Sequence, residues 1–214
     1  EVTAGLLKGY FGNLSDKLGK RSIFVVIGYG VSALVKPLPG IIQNVPAVLF
    51  SRVSDRVGKG IRTAPRDALL ASYSHGNSGA VFGFHRAMDT LGAAIGPVIA
   101  LVLLYFFPDN FQLIFLLAFI PSAMAVAFTF IVKEKKKKEK KKKKKNYLEF
   151  WKTAPKEYKR ILILIVIFSL VNSSDVFLIL KSQNISNSNT LAILGYVFYN
   201  LVYAFASYPL GNLA

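Results

Sequence analysis

Seven charged residues stand between positions 52 and 67: Arg52, Asp55, Arg56, Lys59, Arg62, Arg66 and Asp67. They recur at spacings of three, four and seven. On a helix, at about 100° per residue, they fall within an arc of about 140° and rise about 22 Å along the axis. That rise is too long for a cluster at a helix end. At membrane depth such charges are costly unless they meet water or a partner, so the stripe is expected to line the interior of a bundle. Five bases against two acids make it cationic. Arg52, Arg56 and Lys59 suit attraction of an anionic or amphipathic solute, and Asp55 adds a titratable group among them.

A second set follows at His85, Arg86 and Asp89, where Asp89 is four and three residues from the other two and can share their face. Glu1 and Lys8, seven apart, share a face of a first helix. Asn172-Ser173-Ser174-Asp175 interrupts an apolar stretch, and its lone acid is either a substrate or proton contact or one half of a structural ion pair. Structural pairing is the expectation for Arg62, Arg66, Asp67 and Arg86. Lys36, just before Pro37, is expected to snorkel outward. No serine or histidine is placed with an orienting third residue, and no glycine-rich loop carries a nucleotide pump's Lys-Ser/Thr. With no cysteine and two histidines ten residues apart, neither a metal site nor a catalytic role is expected, and no cofactor.

Residues of this kind need helices to carry them across a bilayer, and the composition supplies them. Of 214 residues, 53% are hydrophobic, and the mean hydropathy is +0.43, above the usual range of a soluble domain. A spanning helix takes about 20 predominantly apolar residues. Stretches 111–132, 161–180 and 191–214 meet that with at most Asp175 as a charge; 22–42, 45–73 and 81–107 meet it with polar interruptions. A short piece, 2–14, precedes them. The expectation is an all-α, polytopic membrane helical bundle.

The formal charge of +16 is concentrated: residues 133–145 hold 11 Lys and 2 Glu, leaving +7 for the other 201 positions. If each apolar stretch crosses once, Lys17, Lys20 and Arg21 lie on the same side as the 15 Lys/Arg of 133–160. Only Lys36 and Lys181 lie opposite. Eighteen against two places loops 15–21 and 133–160 in the cytoplasm. The lysine tract has no interleaved aromatics and follows a span directly, so its expected partner is anionic membrane lipid, at roughly 1 kcal/mol per residue near the surface, and not nucleic acid.

Tyr10-Phe11-Gly12-Asn13-Leu14-Ser15 closes the first apolar piece, and Tyr208-Pro209-Leu210-Gly211-Asn212-Leu213-Ala214 closes the last, six crossings later and on the same side. A six-helix unit repeated in parallel is implied. The loop Gly12-Asn13-Leu14-Ser15-Asp16-Lys17-Leu18-Gly19-Lys20-Arg21 resembles the signature loop of the major facilitator superfamily, G-x-L-a-D-r-x-G-r-[RK], which joins that family's second and third helices. Arg52 is similar to the arginine of its helix-four motif, with Arg56 where the motif has glycine. Gly92-Ala93-Ala94-Ile95-Gly96-Pro97 resembles its helix-five motif, G-x-x-x-G-P, which is associated with antiporters. Asp55 to Asp67 looks like a prokaryotic branch of the family.

The resemblance implies two six-helix bundles, of which the chain covers helices two to eight: 1–132 in the first bundle, 133–160 as a polybasic linker, and 161–214 opening the second. Gly12, Asp16, Gly19, Lys20 and Arg21 would form a conformational latch, Asp16 holding a partner helix through a charge-assisted bond. Gly92, Gly96 and Pro97 would provide close helix packing. Solute contact and proton coupling would fall to Glu1, Lys8, Arg52, Asp55, Arg56, Lys59, Asp89 and Asp175. The expected function is alternating-access transport of a small solute across a prokaryotic inner membrane, first as proton-coupled efflux and second as anion uptake or facilitated diffusion. A remote third reading is a non-transporting anchor whose lysine tract holds lipid or RNA.

Overall fold

The computed structural model describes residues 2–74, 76–132, 134, 151–171 and 175–213. They are helical, with no strand among them. In chain order the helices are α1 (Val2–Leu18), α2 (Arg21–Val35), α3 (Leu38–Ile41), α4 (Val45–Tyr73), α5 (Ser78–Phe106), α6 (Phe111–Leu117), α7 (Phe119–Ile131), α8 (Lys156–Val171), α9 (Asp175–Ser186) and α10 (Asn189–Leu213). One compact unit comprises Glu1–Lys135 with Val197–Ala214, and a second comprises Lys136–Tyr196.

The helix boundaries follow local chemistry. Asn44, Asn77 and Asn110 each accept a backbone N–H three residues on, at 2.8, 3.2 and 3.1 Å, and so begin α4, α5 and α6. Gly19, at φ +61°, ends α1 in the left-handed conformation that glycine adopts without strain, and donates its N–H to Ser15 O. Pro121 has no N–H to offer the carbonyl four residues back, and α6 stops there, at Leu117.

In the first unit small residues set the packing. A Cβ added at Gly28 of α2 would come 2.7 Å from the Gly58 carbonyl oxygen of α4, and one at Gly12 would come 3.0 Å from Ala64 Cβ, so α1 and α2 both lie close on α4. Ser15 and Pro65 are fully buried. α3 is held on α6, where a Cβ at Gly40 would meet Gln112 O at 2.9 Å. Large apolar side chains point the other way: Leu34, Phe130 and Phe205 are 73%, 71% and 74% exposed. Small residues inside and large apolar residues outside is the pattern of helices that pack in lipid.

Four described segments are long and apolar enough to cross a membrane: Arg21–Ile41, Ser78–Phe106, Phe111–Ile131 and Asn189–Leu213. They match four of the expected stretches. α4 is as long as α5, at 29 residues, but its charges keep it out of that group. In the expected stretch 161–180, α8 ends at Val171 and α9 begins at Asp175; Asn172, Ser173 and Ser174 lie outside the described residues.

In the second unit, Lys159 Nζ lies 5.7 Å from the centre of the Trp151 ring. Gln183 donates to Asn189 Oδ1 at 2.6 Å across the α9–α10 connection.

Candidate functional site

The stripe on α4 passes from exposed residues to half-buried ones along the helix. Because Gly28 and Gly58 bring α2 and α4 together, the Arg62 guanidinium reaches along α2: it donates to Gly28 O at 3.1 Å and to Ser32 Oγ, and its Cζ lies 4.4 Å from the centre of the Tyr29 ring. Arg66 donates to its neighbour Asp67 at 3.0 and 3.2 Å. Both fulfil the expectation of structural pairing. Arg52, Arg56 and Lys59 are exposed, and Asp55 is half-buried beside them. Among the described residues no carboxylate lies within ion-pair distance of Arg52 or Lys59.

Lys36 is an exposed residue, but its head group is held against α7. Its ammonium donates to Ser122 Oγ of α7 at 2.8 Å, and Ser122 is buried. Ser122 stands 11 residues into the 21-residue span Phe111–Ile131, so the lysine head sits about midway along it. The expected snorkelling is corrected: the hydroxyl, itself donating to Ala118 O at 2.8 Å, offers the ammonium an acceptor at depth. Asp55 lies within electrostatic reach of both Lys36 and Arg62.

On α5, Arg86 pairs with Asp89 at 3.6 Å, donates to Tyr203 Oη at 3.1 Å and lies over that ring at 5.0 Å. His85 parts from them. It lines an apolar pocket of about 680 Å³ with Leu70, Phe84, Met88, Phe205 and Tyr208, and its Nε2 has no hydrogen-bond partner among the described residues. Gly92 and Gly96 have nothing within 4 Å among the described residues. The close packing expected of them occurs elsewhere on α5, at Gly83, where an added Cβ would meet Ser207 O at 2.8 Å and Gly211 Cα at 3.0 Å. Small residues at helical spacing allow an approach but do not choose the partner.

The loop after α1 is bonded on two sides. Asp16 Oδ1 accepts from Arg21 Nε at 3.0 Å and Nη2 at 2.9 Å. Its partner is thus the first residue of the next helix. Beneath it, Ser15 Oγ donates to Gly12 O at 2.9 Å. A further acid, absent from the sequence reading, closes the other side: Glu134 accepts from Arg21 N–H at 2.9 Å, Ser22 N–H at 3.4 Å and Ser22 Oγ at 3.2 Å. The only signal for it in the sequence is an acid at the root of a basic run on the same side as the loop. Lys20 is exposed at the N-cap of α2 without a capping bond from its side chain.

The remaining candidates stand apart. Lys8 is exposed on α1, and Glu1 lies outside the described residues. Asp175 belongs to the second unit, where it is exposed in the first turn of α9. A negative side chain there complements the helix dipole.

Helices that meet the length and apolarity of membrane spans, with charges gathered on an inward-bonded helix between them, define an integral membrane protein of the polytopic helical class. A sequence model described as Major Facilitator Superfamily matches residues 2–214, and the chain belongs to that family. It is 35% identical to an uncharacterised MFS-type transporter of Methanocaldococcus jannaschii over 224 residues, covering 100% of this chain and 55% of that protein. Over 99 residues it is 31% identical to uncharacterised proteins of Mycobacterium bovis and Mycobacterium tuberculosis, covering 46% of this chain and 24% of each of them. The chain therefore spans about half the length of the archaeal relative. No solved structure matches it.

Proposed function

We propose that the protein is part of a secondary transporter that moves a small solute by alternating access and couples efflux to inward proton movement. The observation that carries this reading is the exposed part of the α4 stripe. Arg52, Arg56 and Lys59 stand in the outer and middle turns of a helix packed against α1 and α2, with Asp55 half-buried beside them. A helix that served only as a structural member would gain nothing from exposed cations at that depth. The cations attract an anionic or amphipathic solute. Asp55, Asp89, Glu1, Lys8 and Asp175 are the candidate coupling groups, since protonation of a carboxylate changes the cost of exposing it to the cavity.

The latch in this reading is Gly12, Asp16, Gly19, Lys20 and Arg21, with loops 15–21 and 133–160 in the cytoplasm of a prokaryotic cell. Residues 1–132 form a first bundle, 133–160 a linker whose lysines hold anionic lipid, and 161–214 the start of a second bundle. Midplane sites between parallel halves are a known property of this fold.

Anion uptake by symport or facilitated diffusion is the second reading. Lys36, fixed at depth by Ser122, adds a further cation that favours it.

Proteoliposomes holding the protein and the pH dye pyranine, challenged with a panel of radiolabelled organic anions and cations, separate the readings. Antiport predicts acidification of the compartment the solute leaves, and symport acidification of the compartment it enters. Solute movement without proton movement rejects the coupling, and unchanged transport after Arg56→Ala plus Lys59→Ala rejects the cationic site. The anchor reading predicts that the stripe is dispensable and the lysine tract is not.

A further inference from the structure

The first two N–H groups of a helix have no partner within it. In α2 these belong to Arg21 and Ser22, and the N-cap Lys20 contributes no side-chain bond. Glu134, 112 residues further on, supplies what is missing. One carboxylate oxygen accepts from Arg21 N–H at 2.9 Å, and the other accepts from Ser22 N–H at 3.4 Å and Ser22 Oγ at 3.2 Å. The charge lies where the helix dipole favours an anion, and Glu134 is itself only partly exposed. The residue it holds by the backbone is the same residue whose side chain grips Asp16 through Nε and Nη2. Arg21 is thus bound at both ends, its main chain to the acid that follows α7 and its guanidinium to the acid that ends α1.

We propose that Glu134 is a positioning residue of the signature loop: by capping α2 it fixes the backbone of Arg21, and so holds the guanidinium in the orientation that meets Asp16. An Arg21 side chain leaving a loose helix end would sample many rotamers, and the ion pair at an exposed Asp16 would be lost to water. Capped, the side chain starts from one place. The joint also ties the end of α7 to the start of α2, so the two helix ends move as one body. The functional meaning of this rests on the reading of the loop as the transporter's latch, but the geometry does not.

Two readouts on the purified protein in nanodiscs test it. Hydrogen–deuterium exchange resolves the Arg21 and Ser22 amides. Glu134→Gln should speed their exchange by about tenfold or more, as expected for losing bonds to a charged acceptor. Glu157→Gln, in the second unit, should leave it unchanged. A spin label at Lys17→Cys, in a chain with no native cysteine, then reads the Asp16 side. Glu134→Gln should mobilise that label as fully as Asp16→Asn does, and Ser22→Ala should do so to a smaller extent.

If the amides exchange faster while the label at 17 stays at its parental mobility, Glu134 is only a cap and the positioning role is overturned. Unchanged amide exchange overturns the contact itself. A loop loosened by every one of these variants with solute transport unaffected would instead sink the latch reading and leave the Glu134 assignment standing.

Discussion

The repeated segment does two different jobs at its two positions. In the first copy, a Cβ added at Gly12 would lie 3.0 Å from the methyl of Ala64, a side chain of α4, and the chain runs on into a loop fastened by Asp16, Arg21 and Glu134. In the second copy, Gly211 faces main chain: an added Cβ would lie 2.7 Å from Gly79 O and 2.8 Å from Gly83 Cα. Around it Arg86 reaches Tyr203, and Phe84 meets Tyr208 edge-on with ring centres 6.2 Å apart. The same glycine in the same register thus makes a packed joint within a bundle in one case and a backbone-on-backbone crossing in the other. A joint padded by a side chain can give by a few tenths of an ångström. A crossing of bare backbones has no side chain to give, so the helices themselves must shift to admit a methyl group.

The largest effect is therefore expected at the second copy. Gly211→Ala should force α10 off α5 at a cost of about 1–3 kcal/mol, the range for overpacking a tight contact. In the cysteine-free chain, bridging of Phe84→Cys to Tyr208→Cys by a short bismaleimide should then fall sharply. Retained bridging at parental yield would place the two copies on the same footing.

Next comes the support of the first copy. Arg62→Leu removes the donors to Gly28 O and Ser32 Oγ and should lower stability in detergent by about 2 kcal/mol, the scale for bonds to a charged group. A melting temperature equal to the parent's would remove Arg62 from the account of why α2 and α4 lie so close.

Gly12→Ala should cost less, about 1 kcal/mol, and adding Ala64→Gly should recover most of that, since the clash is between two methyls. Ala64→Gly has no such remedy to offer Gly211→Ala, so the double-mutant comparison sharpens the contrast directly.

The smallest change in stability is expected for Asp16→Asn. The pair with Arg21 is 57% exposed on the Asp16 side, and such pairs contribute about 0.2–1 kcal/mol. Its effect should instead be on transport rate in proteoliposomes; a large loss of stability with unchanged rate would assign the pair to folding.

Much of this was legible in the sequence where periodicity carries the information. The α4 stripe and the Arg86–Asp89 pair follow from helical spacing, since residues three and four apart meet on one face whatever lies beyond. The spans follow from length and apolarity. What was not legible lies in contacts between distant segments. Lys36 at the edge of an apolar stretch reads as a snorkelling lysine, and only Ser122, 86 residues on, shows where its ammonium is held. Glu134 is hidden among lysines, and its bonds run back 112 and 113 residues. Glycines 92 and 96 carry a packing motif, yet the approaches are made by Gly28, Gly58, Gly83 and Gly211, because a smooth helix face needs a partner with a matching one.

The central claim is that the cationic turns of α4 face a water-filled path. The chain has no cysteine, so single cysteines at Arg52, Arg56, Lys59 and Val53 can each be exposed to a membrane-impermeant thiol reagent in proteoliposomes. Val53 is 62% exposed in the structure but lies off the charged stripe. The account predicts that positions 52, 56 and 59 react while position 53, facing lipid, stays unmodified. Protection of the stripe with reaction at 53, or equal reaction at all four, would contradict it.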